Sequence, residues 1–344
     1  MDTDRHRLPA KPHVAATFRS PRASPKRSSW RAKARPYGWV PAALLLAILL
    51  ASCRGGAPAG EPTITTQPGE TGPQLSHHFA EAAGLTWHYV EAGEGEPVVF
   101  LHGLPESWYS WHYQLEALSD EYRVIAIDLK GYGQSDKADG NYSADQVAEE
   151  VLALLDAIGL DRFNLVTHDW GTLLGDFIAG KHPERVIRYV RMEAPVHKTD
   201  PANHPQFVIL RDQALATRLF ANTDTFVRQV YGERTVQPVP EEDMLRIIEE
   251  FGRPGVAEAV PRYFRDTSLE TLQARLELYS QMDLPVLLLQ GERDPAQPQW
   301  YFEGAVDQFP DARLQWVTEA GHFTELEQPE QVTQAIRDFL QAPP

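Results

Sequence analysis

Three side chains able to carry nucleophilic chemistry each follow a short apolar run. His168-Asp169-Trp170-Gly171 comes directly after Phe163–Thr167 and leads into a helical pattern. A strand-to-helix turn this tight exposes one side chain at a sheet edge and aims helix N-terminal amides at what that side chain holds. Here the exposed residue is Asp169, a carboxylate nucleophile if the turn is catalytic. Asp also caps helices well, so the motif alone leaves both readings open. No Gly-x-Ser-x-Gly occurs anywhere, and a serine nucleophile at such an elbow has no candidate. Asp294 stands just past the apolar run Leu284–Gln290, and His322 just past Arg313–Val317. Asp169, Asp294 and His322 thus stand in the order nucleophile, acid, histidine, each at the carboxyl end of an expected strand. Such a histidine activates the attacking group, and the acid holds its ring in the right tautomer. Glu193, closing the run Val186–Met192, is an alternative acid.

These residues need a sheet to bring them together, and the chain supplies the alternation. Leu85–Val90, Pro97–Leu101, Arg123–Asp128, Phe163–Thr167, Val186–Met192, Leu284–Gln290 and Arg313–Val317 read as strands. Helical spacing covers Glu106–Leu118, Gly171–Lys181 and Pro329–Leu340. Ser143 to Gln146 offers a capping box for a further helix that Gly159 closes. Continuous apolar strands alternating with helices predict an α/β class, a mostly parallel sheet flanked by helices. From about 197 to 282 the pattern is helical with prolines and no convincing strand. This predicts a helical cap inserted over the carboxyl edge, where open α/β sheets bind ligands.

The run from Phe100 adds His102-Gly103-Leu104-Pro105 and then Trp108 and Trp111. Gly103 allows close backbone approach, and Leu104-Pro105 is a candidate cis bond. His102 reads as structural, and the backbone N–H groups of Leu104 and Trp170 as an oxyanion hole. His-Gly-x-Pro-x-x-Trp, His-Asp-Trp-Gly and the late Asp and His together resemble the epoxide hydrolase and haloalkane dehalogenase branch of the α/β-hydrolases. Lys130 to Asp136 and His182 to Val186 fit it as well, so the resemblance covers essentially all of residues 76–344. It implies an α/β-hydrolase fold and attack of Asp169 on an sp³ carbon, leaving an alkyl ester. Water activated by His322 would then hydrolyse that ester, with Asp294 orienting the ring. The expected partners are water and a small apolar electrophilic substrate, with no cofactor and no metal.

Epoxide opening is the favoured expectation, with haloalkane dehalogenation as the alternative and a non-catalytic ligand-binding homologue as the second. Trp108 and Trp111 resemble the epoxide hydrolases, and Leu104 lacks the side-chain donor that dehalogenases commonly place after His-Gly. The family's usual cap tyrosine is replaced by Phe264, leaving Tyr263 and Tyr231 as cap proton donors, each also readable as a packing residue. Thr167, two places before the nucleophile, is a further departure and somewhat dehalogenase-like.

The 344 residues carry 32 Lys and Arg against 48 Asp and Glu, unevenly placed. Residues 1–53 hold ten basic and two acidic side chains, leaving 22 basic and 46 acidic on the remainder, a net charge of −24 there. That acidity argues against non-specific nucleic-acid binding. The basic stretch precedes a 14-residue apolar run, Trp39–Ser52. As a helix it would be roughly 21 Å long, short of a hydrocarbon core of about 30 Å. It reads as the secretory signal of residues 1–52. Leu50 to Cys53 resembles the lipobox of bacterial lipoproteins, which implies export and membrane attachment through lipid on Cys53. A Gly- and Pro-rich tether to residue 75 and an α/β domain over 76–344 would follow. A single cysteine excludes an intramolecular disulfide, and the sequence leaves the oligomeric state unassigned.

Overall fold

A computed structural model describes residues 75–197 and 205–343. Eight strands form one sheet in the order β1-β2-β4-β3-β5-β6-β7-β8. They are β1 Ser76–Ala82, β2 Leu85–Ala92, β3 Pro97–Leu101, β4 Arg123–Ile127, β5 Phe163–His168, β6 Val186–Met192, β7 Val286–Gly291 and β8 Ala312–Val317. β2 runs antiparallel to both β1 and β4, while every neighbouring pair from β4 through β8 is parallel. Helices cover both faces, so β5 and β7 are buried along their whole length. This is why these strands read as unbroken apolar runs rather than as alternating ones.

β1 has no counterpart among the sequence expectations. It is a mostly exposed edge strand with one large apolar residue, Phe79, and that residue is 58% exposed. Its turn to β2 is Ala83-Gly84, both with positive φ, at 51° and 75°. Two such residues form the turn that matches strand twist, but Ala in place of Asn or Asp hides it from a sequence reading. The capping box at Ser143 also fails to form. Helix Ala144–Ala157 begins there without a side-chain cap bond from Ser143. The Ala144 N–H donates instead to Thr267 Oγ1, 3.0 Å away and far along the chain.

Between β6 and β7 the described residues form seven short helices, from Pro205–Ile209 to Leu269–Leu278, and no strand. Both ends of this segment are fixed to helix Trp170–Lys181 through Asp176. Arg191 of β6 donates to Asp176 at 2.9 Å and Arg275 of the last short helix at 2.7 Å. Arg275 also donates to the carbonyl of Pro195 at 2.7 Å. One buried carboxylate facing two guanidinium groups satisfies charges that would be costly unpaired.

Candidate active site

The parallel order lines up the carboxyl ends of β3, β5, β6, β7 and β8, and the expected residues converge there. Asp169 follows β5 directly and opens helix Trp170–Lys181 with φ 46° and ψ −112°. A non-glycine residue held at positive φ stores about 1–3 kcal/mol of strain, which the surrounding structure must offset. The same turn brings Gly103 so close that a Cβ there would lie 2.4 Å from the Cβ of Asp169. Only glycine fits, and the following N–H, that of Leu104, donates to Asp169 Oδ1 at 3.1 Å. The Leu104-Pro105 bond is cis.

His322, five residues past β8, brings Nε2 to 3.5 Å from Asp169 Oδ2 and Nδ1 to 2.8 Å from Asp294 Oδ2. Its backbone N–H donates to the carbonyl of Arg234 at 2.9 Å, so helix Thr223–Arg234 of the inserted segment steadies the loop. The His322 and Asp294 side chains are closed to solvent, whereas Asp169 keeps 24% of its side chain exposed. Of the three, the carboxylate at the elbow is the one a substrate can reach. Asp294 Oδ1 accepts from Ala296 N at 2.6 Å, which fixes the carboxylate against the ring.

Electrostatics follow from this geometry. Burial disfavours charge on His322, but the Asp294 and Asp169 carboxylates outweigh it and hold its pKa up at about 9. Burial likewise opposes charge on Asp169 and Asp294, yet their contacts with His322 leave both pKa values below the usual range. The resting site is an imidazolium between two carboxylates. Glu193 lies behind Asp294 at φ 47° and takes the Gly291 N–H on Oε1 at 2.6 Å. Burial, then the charge of Asp294, drives its pKa well above the usual carboxylate range. It is therefore a carboxylic acid beside Asp294, and the structure gives the contact with His322 to Asp294.

Asp169, Asp294 and His322 thus meet at the carboxyl ends of β5, β7 and β8. Residues 96–329 fit the family described as the alpha/beta hydrolase fold. The chain belongs to the α/β-hydrolase family. Within it the relatives mark the epoxide hydrolase branch. Epoxide hydrolase 4 of Homo sapiens is 31% identical over 286 residues, spanning 75% of this chain and 76% of that protein. Epoxide hydrolase 2 of Caenorhabditis elegans is 26% identical, spanning 77% and 80%. A solved epoxide hydrolase from Vigna radiata matches with a TM-score of 0.68 at 25% identity, across 78% of this chain and 98% of that one.

Other expected residues of this hydrolase fall into place or out of it. His102 is structural: Nδ1–H donates to the Gly103 carbonyl at 2.9 Å, and Nε2 accepts from Leu129 N at 3.0 Å. Trp108 is buried beside Asp128, which accepts its backbone N–H at 2.9 Å. Trp170 packs its ring against Tyr263 and Phe264, at 5.4 and 4.9 Å between centroids. Tyr263 is displaced as a proton donor, because its hydroxyl donates to the carbonyl of Lys130 at 2.9 Å. Tyr231 stacks on Phe323 at 3.9 Å and keeps an unpartnered hydroxyl. The acidic side chains that act on it most strongly are Glu106 and Glu325 rather than Asp169.

Tyr132 was not expected from the sequence. It is fully buried, its hydroxyl has no partner among the described residues, and the charge acting on it most strongly is that of Asp169. Burial and that charge keep it a neutral phenol, able to donate. Cys53 and residues 1–52, over which the sequence predicts a leader, lie outside the described residues, and no described helix is long and apolar enough to cross a membrane.

Proposed function

We propose that this hydrolase opens small, apolar epoxides to diols through an ester on Asp169. Asp169 attacks a ring carbon, forming a C–O bond as the ring C–O bond breaks. The departing oxygen takes a hydrogen bond, then a proton, from the Tyr132 hydroxyl, which leaves a hydroxyalkyl ester. With the Asp169 charge gone, His322 releases its proton, which rebuilds the Tyr132 phenol. Water then attacks the ester carbonyl while the neutral ring accepts a proton from it. The Leu104 and Trp170 N–H groups receive the oxyanion. Collapse expels the diol as its alkoxide, which takes the proton from His322. The Asp169 carboxylic acid then gives its own proton to that ring, restoring the carboxylate and the imidazolium.

The observation that carries this reading is the placement of Asp169, exposed at the elbow between the Leu104 N–H and His322 Nε2. A carboxylate nucleophile needs no base for its attack, which leaves the histidine free for the second step. Ring opening is favoured over halide displacement because Leu104 offers no side-chain N–H and Thr167 Oγ1 is already engaged with Thr172 Oγ1 at 2.9 Å. A pocket that binds without turnover is disfavoured by the 2.8 Å Asp294–His322 contact, which an idle site has no need to keep.

The test is intact mass of His322→Gln after incubation with epoxides and with haloalkanes. An adduct from an epoxide supports the reading. An adduct from haloalkanes alone moves the function to dehalogenation, and none from either, with an inactive wild type, removes it. Export and lipid attachment at Cys53 remain part of this proposal. Cys53→Ser should shift the protein from the membrane to the soluble fraction, and an unchanged distribution would refute the anchor.

A further inference from the structure

Glu327 ends the short helix Thr324–Glu327 that follows His322, and it is buried. Its partners are backbone N–H groups. Oε2 accepts from Val236 at 2.6 Å and from Gln237 at 2.9 Å. Oε1 accepts from Gly321 at 3.0 Å and from Phe323 at 3.2 Å. A buried carboxylate is costly unless its lone pairs are filled, and it has about four such sites. Here two segments of the chain fill them. Val236 and Gln237 belong to the inserted helical segment, 91 and 90 positions before Glu327. Gly321 and Phe323 flank His322 itself.

The His322 N–H donates to the Arg234 carbonyl at 2.9 Å, so the three consecutive N–H groups of residues 321–323 are all held. Glu327 holds the outer two, and the stretch Arg234–Gln237 holds the middle one directly. Gly321 permits the close approach: a Cβ there would lie 2.1 Å from the Arg234 carbonyl oxygen and 3.0 Å from Glu327 Oε1. The imidazole itself has one firm anchor, Asp294 at Nδ1. Nε2 stands 3.5 Å from Asp169 Oδ2 and has no close partner, so its position depends on where the main chain starts the side chain. We propose that Glu327 is a positioning residue for ester hydrolysis, a clasp that ties the loop of the base to Arg234–Gln237. His322 then stands beside Asp169 only while that stretch of the inserted segment is seated. This inference rests on the ester mechanism above. Attack by Asp169 does not use the base and should depend on the clasp much less.

The test separates the two half-reactions. Wild type, Glu327→Ala, Glu327→Gln and His322→Gln are each mixed with saturating styrene oxide and followed by quenched intact mass. Misplacing a catalytic group by about 1 Å costs on the order of 10²-fold. Glu327→Ala should therefore form the ester at close to the wild-type rate and hydrolyse it about 10²-fold more slowly, accumulating adduct. Glu327→Gln keeps the shape and one acceptor oxygen, should slow hydrolysis to a smaller extent, and serves if Glu327→Ala does not fold. Hydrolysis at the wild-type rate, or equal slowing of both steps, overturns the proposal. An adduct in His322→Gln but in neither Glu327 variant sinks this inference alone, whereas none in His322→Gln sinks the mechanism beneath it. Independently, the wild-type amides of Val236, Gln237, Gly321, His322 and Phe323 should open as one unit, with hydrogen-exchange protection by NMR within about tenfold of one another. A wider gap between residues 236–237 and 321–323 contradicts the clasp.

Discussion

Replacing Asp169 by Asn removes the negative charge beside His322 and nearly keeps the shape, the same electrostatic change that esterification makes during turnover. In the resting protein burial disfavours the imidazolium, while Asp294 and Asp169 hold its pKa at about 9. Asp169 Oδ2 is 3.5 Å from Nε2. Two unit charges about 4 Å apart interact by about 4 kcal/mol at an effective dielectric of about 20. At about 1.4 kcal/mol per pKa unit, the ceiling on the shift is about three units. Asp169 is 24% exposed, and solvent screening weakens the interaction. The expected fall is about two units, to about 7, where a general base works best at neutral pH. NMR titration of the His322 ring in wild type and Asp169→Asn, assigned by its loss in His322→Gln, measures it. A pKa still at about 9 in Asp169→Asn would refute the idea that ester formation turns His322 from cation to base.

Three further outcomes follow from the same geometry. Asp294→Asn should lower kcat on an epoxide by about 10²–10⁴-fold, and Glu193→Gln, whose amide still donates to Asp294, by less than about tenfold; the opposite order would exchange the two acids. Tyr132→Phe should slow ester formation by about 10²-fold or more while Tyr231→Phe changes it little, as read from pre-steady-state adduct mass; a larger loss in Tyr231→Phe would move the donor to the cap. Because the His322 pKa is raised from 6.5 to about 9, its pairing stabilises the fold fully below about pH 6.5 and loses that contribution as pH rises through about 9. The melting-temperature advantage of wild type over His322→Gln should therefore shrink across that window, and a constant advantage would contradict the pairing.

What could be read from the sequence was whatever the chain encodes locally. β3, β6 and helix Pro329–Leu340 end where their apolar patterns end. The elbow, the late acid and the histidine were legible because each directly follows such a run, and strand ends in a parallel sheet meet at one edge. The choice between Asp294 and Glu193 was not legible, since it depends on which carboxyl reaches His322 Nδ1. Tyr132 sits in a glycine-flanked turn that gives no hint of its buried, unpartnered hydroxyl. Glu106 reads as an ordinary surface residue until His168 and the Gly103 N–H close around it. Tyr263 failed as a donor for the same reason, because the carbonyl of Lys130 that claims it lies in another part of the chain.

The central claim is that water attacks an ester of Asp169 rather than the epoxide. A single turnover in H₂¹⁸O, with enzyme in excess, tests it most directly. If Asp169 is the nucleophile, its own unlabelled oxygen leaves with the diol and ¹⁸O enters the peptide containing Asp169. Label found in the diol, with none in that peptide, would contradict the account.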